Sequence, residues 1–150
     1  MRIVIQRVKS AGVSVNGGVF STIGEGLVLF VGLSASDDEK TAAYMAEKTA
    51  NLRIFDDDDG CLNRSVIDCN GECLAISNFT LYANCRKGRR PSFTEAAPKN
   101  LSEPLYAFFV KALKDAGIKT VKDGAFGADM QVDLRNDGPV TVILDSDAMM

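Results

Sequence analysis

The sequence contains no histidine. That one absence excludes His-based catalytic triads, histidine general bases and histidine-containing zinc sites. Long hydrophobic runs are also missing. The longest stretch of apolar residues and glycine is Gly26 to Leu33 (GLVLFVGL), far short of the ~20 residues that a membrane-spanning helix requires. Positive charge is in deficit: 17 Lys and Arg stand against 20 Asp and Glu, a net charge of −3. No protein-wide positive field gathers nucleic acid, so any basic surface has to be local. Paired Cys-x-x-Cys hooks are absent too. Cys61, Cys69, Cys73 and Cys85 are separated by seven, three and eleven residues, which is not the spacing of a four-thiolate zinc site. In a reducing compartment they are expected as free thiols. MRIVIQRVK does not read as a secretion signal, because Gln6 and Arg7 interrupt it before an apolar segment forms. The expectation is a cytoplasmic protein with no membrane association, no metal and no cofactor.

What is present is an ordinary globular composition. The 150 residues are 46% hydrophobic and 25% charged, as expected of one domain over residues 1–150 with one core and no intrinsic disorder. Arg2 to Lys9 reads as a strand with Ile3, Ile5 and Arg7 on one face and Val4, Gln6 and Val8 on the other. Either Arg7 or Gln6 then faces protein. An inward Arg7 needs acceptors; the alternative is an Arg7 at the strand end that snorkels to water. Gly12–Asn16 and Val19–Ile23 form a hairpin about Asn16-Gly17, and Leu27–Leu33 is an apolar strand. Ser36 and Glu39 have capping-box spacing ahead of a helix over about 37–51, with Ala42, Met45, Ala46 and Thr49 inward. Leu52–Phe55 is a short strand before Asp56-Asp57-Asp58-Asp59-Gly60. That acidic run lacks the ligand alternation of a calcium loop and reads as a solvated hairpin tip.

Glu72 to Tyr82 is expected as one strand, followed by a basic loop from Asn84 to Pro91. Asn100 and Glu103 form a second cap before a helix ending near Gly117, a residue suited to the C′ position. Leu105, Phe108, Phe109, Ala112 and Leu113 make its core-facing stripe. Strands over Ile118–Lys122, Gln131–Asn136 and Val140–Asp145 follow, and Ser146–Met150 is expected to fray.

Two segments carry chemistry. Ala75-Ile76-Ser77-Asn78-Phe79-Thr80-Leu81-Tyr82 sets hydroxyls and an amide in an apolar run, as either an edge strand or the floor of a polar pocket does. Asn136-Asp137-Gly138-Pro139-Val140-Thr141 has the composition of a hairpin turn. Together, SNFTLYANCRKGRRPSF and FGADMQVDLRNDGPVTVILD resemble the D-aminoacyl-tRNA deacylases. MRIVIQRV, LRIF before the acidic turn and the helix before FGADM resemble the same family, so the likeness runs from Met1 to about Asp145.

The resemblance implies an α+β fold of compact, barrel-like mixed or antiparallel sheets with two main helices. It implies a homodimer that hydrolyses the ester joining a D-amino acid, or glycine mischarged on tRNA(Ala), to the terminal adenosine of tRNA. Gly138 and Pro139, joined by a cis peptide, would enter the partner's pocket, and Arg7 would hold that loop. Ser77, Asn78, Phe79 and Thr80 would line the pocket. Phe126 and Met130 would flank the adenosine. Asn78 departs from the Gln usual in the family and is one methylene shorter.

Thr80 is a nucleophile by residue type, but no base stands beside it in sequence. The favoured mechanism is water assisted by the substrate's own 2′-hydroxyl, with an oxyanion hole of backbone N–H groups around Phe79 and Thr80. Cys85 is a remoter nucleophile that also lacks a base. Arg86, Lys87, Arg89 and Arg90 place four cations in five residues, facing either solvent or the phosphates of the tRNA acceptor end. The competing readings are an RNA-binding module without catalysis and a related deacylase that edits L-alanyl-tRNA.

Overall fold

Ile3 and Ile5 alternate with Val4 and Gln6 along a strand that does not stop at Lys9. In the computed structural model, which describes Met1 to Met150, β1 runs from Arg2 to Val15. Lys9 and Ser10 are exposed residues in its middle. Asn16 and Gly17 turn the chain with φ of 52° and 77°, the left-handed pair that a tight Asn-Gly hairpin uses. The chain returns as β2 (Gly18–Ile23) and continues into β3 (Gly26–Gly32), antiparallel to the first half of β1.

Helix α1 (Glu39–Asn51) buries Ala42, Met45, Ala46 and Thr49, as the periodicity predicts. Its cap differs from the sequence expectation. Asp38 is the N-cap and accepts from the N–H and the hydroxyl of Thr41, both at 2.8 Å. Ser36 instead meets Ser34, and the neighbouring Asp37 carboxylate is buried against the Ser34 N–H and the Met1 amino group. Beyond α1, β4 (Phe55–Asp56) and β5 (Leu62–Arg64) form a small hairpin. Asp57 ties its acidic tip by accepting from the N–H groups of Asp59 and Cys61 and from the Asn63 side chain.

β6 (Glu72–Ser77) lies parallel to β3. The two approach so closely that a Cβ on Gly26 would run into the Glu72 carbonyl oxygen. The expected strand through Tyr82 ends at Ser77. Asn78 caps a 3₁₀ turn, Phe79–Tyr82, in its place. Helix α2 (Lys99–Asp115) begins at a Pro98 N-cap without a side-chain bond, so Asn100 is already inside the first turn. Its stripe is buried through Leu105, Phe109 and Leu113, while Phe108 and Ala112 are half-buried at its border. Gly117, at φ 109°, closes the helix end as expected.

β7 (Thr120–Asp123) is parallel to β6. The parallel pairs β3–β6 and β6–β7 need crossovers, which α1 and α2 supply, packing on each other over one side of the sheet. A 23-residue core lies between these helices and the sheet, and a second cluster of seven, including Val8, Val13, Val28 and Leu74, fills the other side. The sheet curls until β2 meets β7. Ser21 donates to the Asp123 carbonyl at 3.0 Å and Lys122 to the Thr22 carbonyl at 2.6 Å. The result is the α+β, barrel-like mixed sheet that the resemblance implies.

β8 (Met130–Asp145) is one strand along the whole of β1. Asn136-Asp137-Gly138-Pro139-Val140-Thr141 is therefore not a hairpin turn between two strands. Asn136 pairs with Val8 and Thr141 with Gln6, so Asp137 to Val140 bulge out opposite Arg7 alone. The C-terminal residues do not fray. Ser146–Met149 form a short helix α3, and the Ser146 hydroxyl is buried against the Met1 amino group.

Candidate functional site

Ser77 ends β6, and there the chain leaves the sheet because Asn78 takes over its hydrogen bonding. The Asn78 carboxamide oxygen accepts from the Thr80 N–H at 3.2 Å and the Thr80 hydroxyl at 2.5 Å. Its own N–H donates to the Val31 carbonyl at 2.8 Å. A short Asx-type cap thus turns the chain at the point where a Gln would reach further. Phe79 opens the 3₁₀ turn, so its N–H has no acceptor within the turn, and no loop, cap or side-chain bond uses it. Of the two backbone donors expected around Phe79 and Thr80, only that of Phe79 is free.

The far end of the turn is clamped. Arg2 donates to Asp145 at 2.8 Å and to the Leu81 carbonyl, with its guanidinium 4.6 Å from the centre of the Tyr82 ring. Burial pushes the Tyr82 phenol up to about 12, so it stays neutral.

Ser77, Asn78, Phe79, Thr80, Phe126 and Met130 line one cavity of about 670 Å³. Six sequence-selected residues from two distant segments thus meet there. Phe79 stacks edge-on with Phe93 at 5.1 Å, and Phe126 packs on Tyr106 at 5.6 Å. The Tyr106 hydroxyl, whose pKa burial raises, donates to the Ala75 carbonyl at 2.8 Å and ties α2 to the strand beneath the cavity. Lys99 and Asp129 are the only charged residues in the lining. Sequence reasoning passed over both, and also Ser102, because nothing in their local pattern separates them from surface residues of a helix and a loop. Cys85 is exposed and not part of the lining.

Gly138, Pro139 and Arg7 do not line this cavity. They form a second centre. Arg7 is only 6% exposed, which settles its orientation in favour of the interior. It donates to the Ile54 carbonyl at 2.9 Å, reaches Asp56 at 3.4 Å and stands 3.1 Å from the Asp137 carboxylate. Lys9 approaches the same carboxylate at 3.5 Å. The Gly138–Pro139 bond is cis, and both residues are exposed at the tip of the bulge. Arg86, Lys87, Arg89 and Arg90 are exposed on the loop between Asn84 and Ser92, which pair as an isolated bridge. None of the four meets a carboxylate.

Residues 4–145 match the family model described as D-Tyr-tRNA(Tyr) deacylase. The chain belongs to that family. Its place there makes it a deacylase, a hydrolase of an aminoacyl-tRNA ester. A D-aminoacyl-tRNA deacylase of Chlorobaculum parvum is 51% identical over 97% of this chain and 98% of its own length. One from Roseiflexus castenholzii is 54% identical over 97% and 92%. Among solved structures, one described as a c-Myc DNA unwinding element binding protein superposes with a TM-score of 0.91 at 41% identity, covering 97% of this chain and 98% of that one. A probable eukaryotic D-amino acid tRNA deacylase shares the fold, with a TM-score of 0.80 at 18% identity over 95% of this chain and 97% of that one.

Proposed function

We propose that this deacylase removes D-amino acids, and glycine mischarged on tRNA(Ala), from tRNA in the cytoplasm. It works as a homodimer in which Gly138–Pro139 of one subunit enters the cavity of the other. The observation that carries the reading is a separation. The same chain holds an open cavity floored by Ser77 to Thr80 and, outside it, an exposed backbone bulge on a well-anchored neck.

The chemistry follows from what the floor offers. The Thr80 hydroxyl donates to a neutral amide oxygen, which is too weakly basic to take its proton. Thr80 is therefore not the nucleophile. Water attacks the ester carbonyl with help from the 2′-hydroxyl of the terminal adenosine, and the free Phe79 N–H holds the developing oxyanion. Phe126 and Met130 flank the adenosine. The tRNA phosphates lie on Arg86, Lys87, Arg89 and Arg90, an interaction that carries little base information.

Chirality is selected by backbone. Carbonyls of Gly138 and Pro139 set against the substrate α-carbon leave room for a hydrogen and exclude an L side chain. A D side chain points away to solvent, and glycine passes. Each tenfold of discrimination needs about 1.4 kcal/mol, and a steric clash supplies several such factors. Asn78, one methylene shorter than the Gln usual in the family, is the feature of the cavity floor that departs from the family pattern. Its carboxamide oxygen bonds only within its own turn, so the shorter side chain keeps the turn closed on the cavity floor.

The test is release of the amino acid from matched D-aminoacyl-, L-aminoacyl-, glycyl- and L-alanyl-tRNA, with sedimentation to count subunits. Hydrolysis of the D and glycyl esters by a dimer is expected. Preference for L-alanyl-tRNA, or tRNA binding without hydrolysis, establishes one of the competing readings.

A further inference from the structure

The bulge that interrupts β8 leaves Asp137 to Val140 without partners in the register with β1. Asp137 to Val140 face only Arg7 across the strand pair, and Pro139 carries no N–H to offer. One side chain closes the gap. Asn136 donates through its carboxamide nitrogen to the Arg7 carbonyl at 2.9 Å and to the Val140 carbonyl at 3.0 Å. It thereby joins the first residue before the bulge to the last residue within it and to the opposing strand. Gln6 supports the same point, reaching the Asn136 carboxamide oxygen at 3.5 Å and the Thr141 hydroxyl at 3.2 Å. The guanidinium of Arg7 and the ammonium of Lys9 hold Asp137 by charge.

We infer that Asn136 is a positioning residue for chiral selection: its two donated hydrogen bonds fix the neck from which Gly138 and Pro139 project. Asn136 touches no substrate and no reacting atom. It acts on where the tip carbonyls stand. A displaced tip opens the space that excludes an L side chain. The inference rests on the proposed role of Gly138–Pro139 as the selecting element.

Aspartate is the discriminating substitution. It has nearly the shape of Asn but no N–H, and it would set a carboxylate against two carbonyl oxygens. Asn136→Asp keeps the volume and removes the function, whereas Asn136→Ala removes both. The readout is the ratio of kcat/KM for a D-aminoacyl-tRNA to that for its L counterpart. Loss of folded protein lowers both numbers alike, so a purely structural role leaves the ratio unmoved even where a variant is poorly stable.

Both variants are expected to lower the D-over-L ratio at least tenfold. Gly138→Ala serves as the reference for the tip, since its Cβ would stand 2.7 Å from the Val140 nitrogen and displace the tip itself. A ratio that moves in Gly138→Ala but stays constant in both Asn136 variants overturns the role of Asn136 and leaves the tip reading intact. A ratio constant in all three variants overturns the tip reading, and the role of Asn136 with it.

Discussion

Replacing Thr80 by alanine separates two kinds of ester hydrolysis. The Thr80 hydroxyl sits on the cavity floor and donates to the Asn78 carboxamide oxygen at 2.5 Å. That oxygen also accepts from the Thr80 N–H at 3.2 Å, a bond the alanine variant keeps. The substitution therefore removes one neutral hydrogen bond at an exposed position and leaves the cap of the 3₁₀ turn in place. Such a bond contributes about 0.5–1.5 kcal/mol. Each 1.36 kcal/mol of barrier is tenfold in rate. Even if the whole loss reached the transition state, Thr80→Ala would slow hydrolysis by about tenfold at most. Removing a true hydroxyl nucleophile costs on the order of 10⁶-fold, so the two cases do not overlap. The assay is single-turnover release of a D-amino acid esterified to the 3′-oxygen of tRNA, on tRNA ending in adenosine or in 2′-deoxyadenosine. Thr80→Ala is expected to keep at least about a tenth of the rate on the first substrate. The wild-type enzyme should all but fail on the second, which lacks the assisting hydroxyl. A loss on the order of 10⁴-fold or more in Thr80→Ala, together with full activity on the deoxy substrate, refutes the reasoning and makes Thr80 the nucleophile.

Arg7→Ala is expected to destabilise the fold as well as lower chiral selectivity. It deletes a buried donor to the Ile54 carbonyl and ion pairs whose carboxylates reach solvent, a cost of about 1–3 kcal/mol in urea unfolding; unchanged stability would show that the buried hydrogen bonds contribute nothing. Charge reversal of Arg86, Lys87, Arg89 and Arg90 should weaken tRNA binding and flatten the log–log salt dependence by ~0.7 for each phosphate no longer neutralised. Hydrolysis of D-aminoacyl-adenosine should hold, and equal loss on both substrates means that the loop shapes the cavity. In thiol labelling at mildly alkaline pH, Cys61, Cys69 and Cys85 should react in the native protein, because all three are exposed. Burial pushes the Cys73 thiol up to about 12, so it stays protonated and should label only on unfolding; rapid native labelling of Cys73 contradicts its burial.

Local physics suffices for several elements. Asn16-Gly17 needs only its own left-handed preference to make a hairpin. Gly117 needs only freedom at positive φ to end α2. Ala42, Met45 and Thr49, and Leu105, Phe109 and Leu113, declare their buried faces by a 3.6-residue period. The chain's alternation also required that Arg7 or Gln6 face inward, and the absence of histidine already made a hydroxyl nucleophile unattractive. The two signature segments and their family were readable because long, specific strings of residues carry them.

Other features were settled by partners far away in the chain. The cap of α1 fell to Asp38 because Asp37 was drawn to the Met1 amino group and Ser34. The strand through Tyr82 broke because the Asn78 carboxamide oxygen gathers the Thr80 N–H and hydroxyl into a turn, even as the Asn78 N–H still reaches Val31 of β3. Arg7 turned inward because Ile54 and Asp56 from one segment and Asp137 from another converge on it. The bulge at Gly138–Pro139 is a matter of register between two strands that begin 128 positions apart in the chain. Composition alone reads that stretch as a turn. A residue's intrinsic preference is worth a few tenths of a kcal/mol to about 1 kcal/mol, so it decides structure where nothing else competes. A buried charge or a strand register involves larger energies, and only the folded chain supplies the groups that satisfy them.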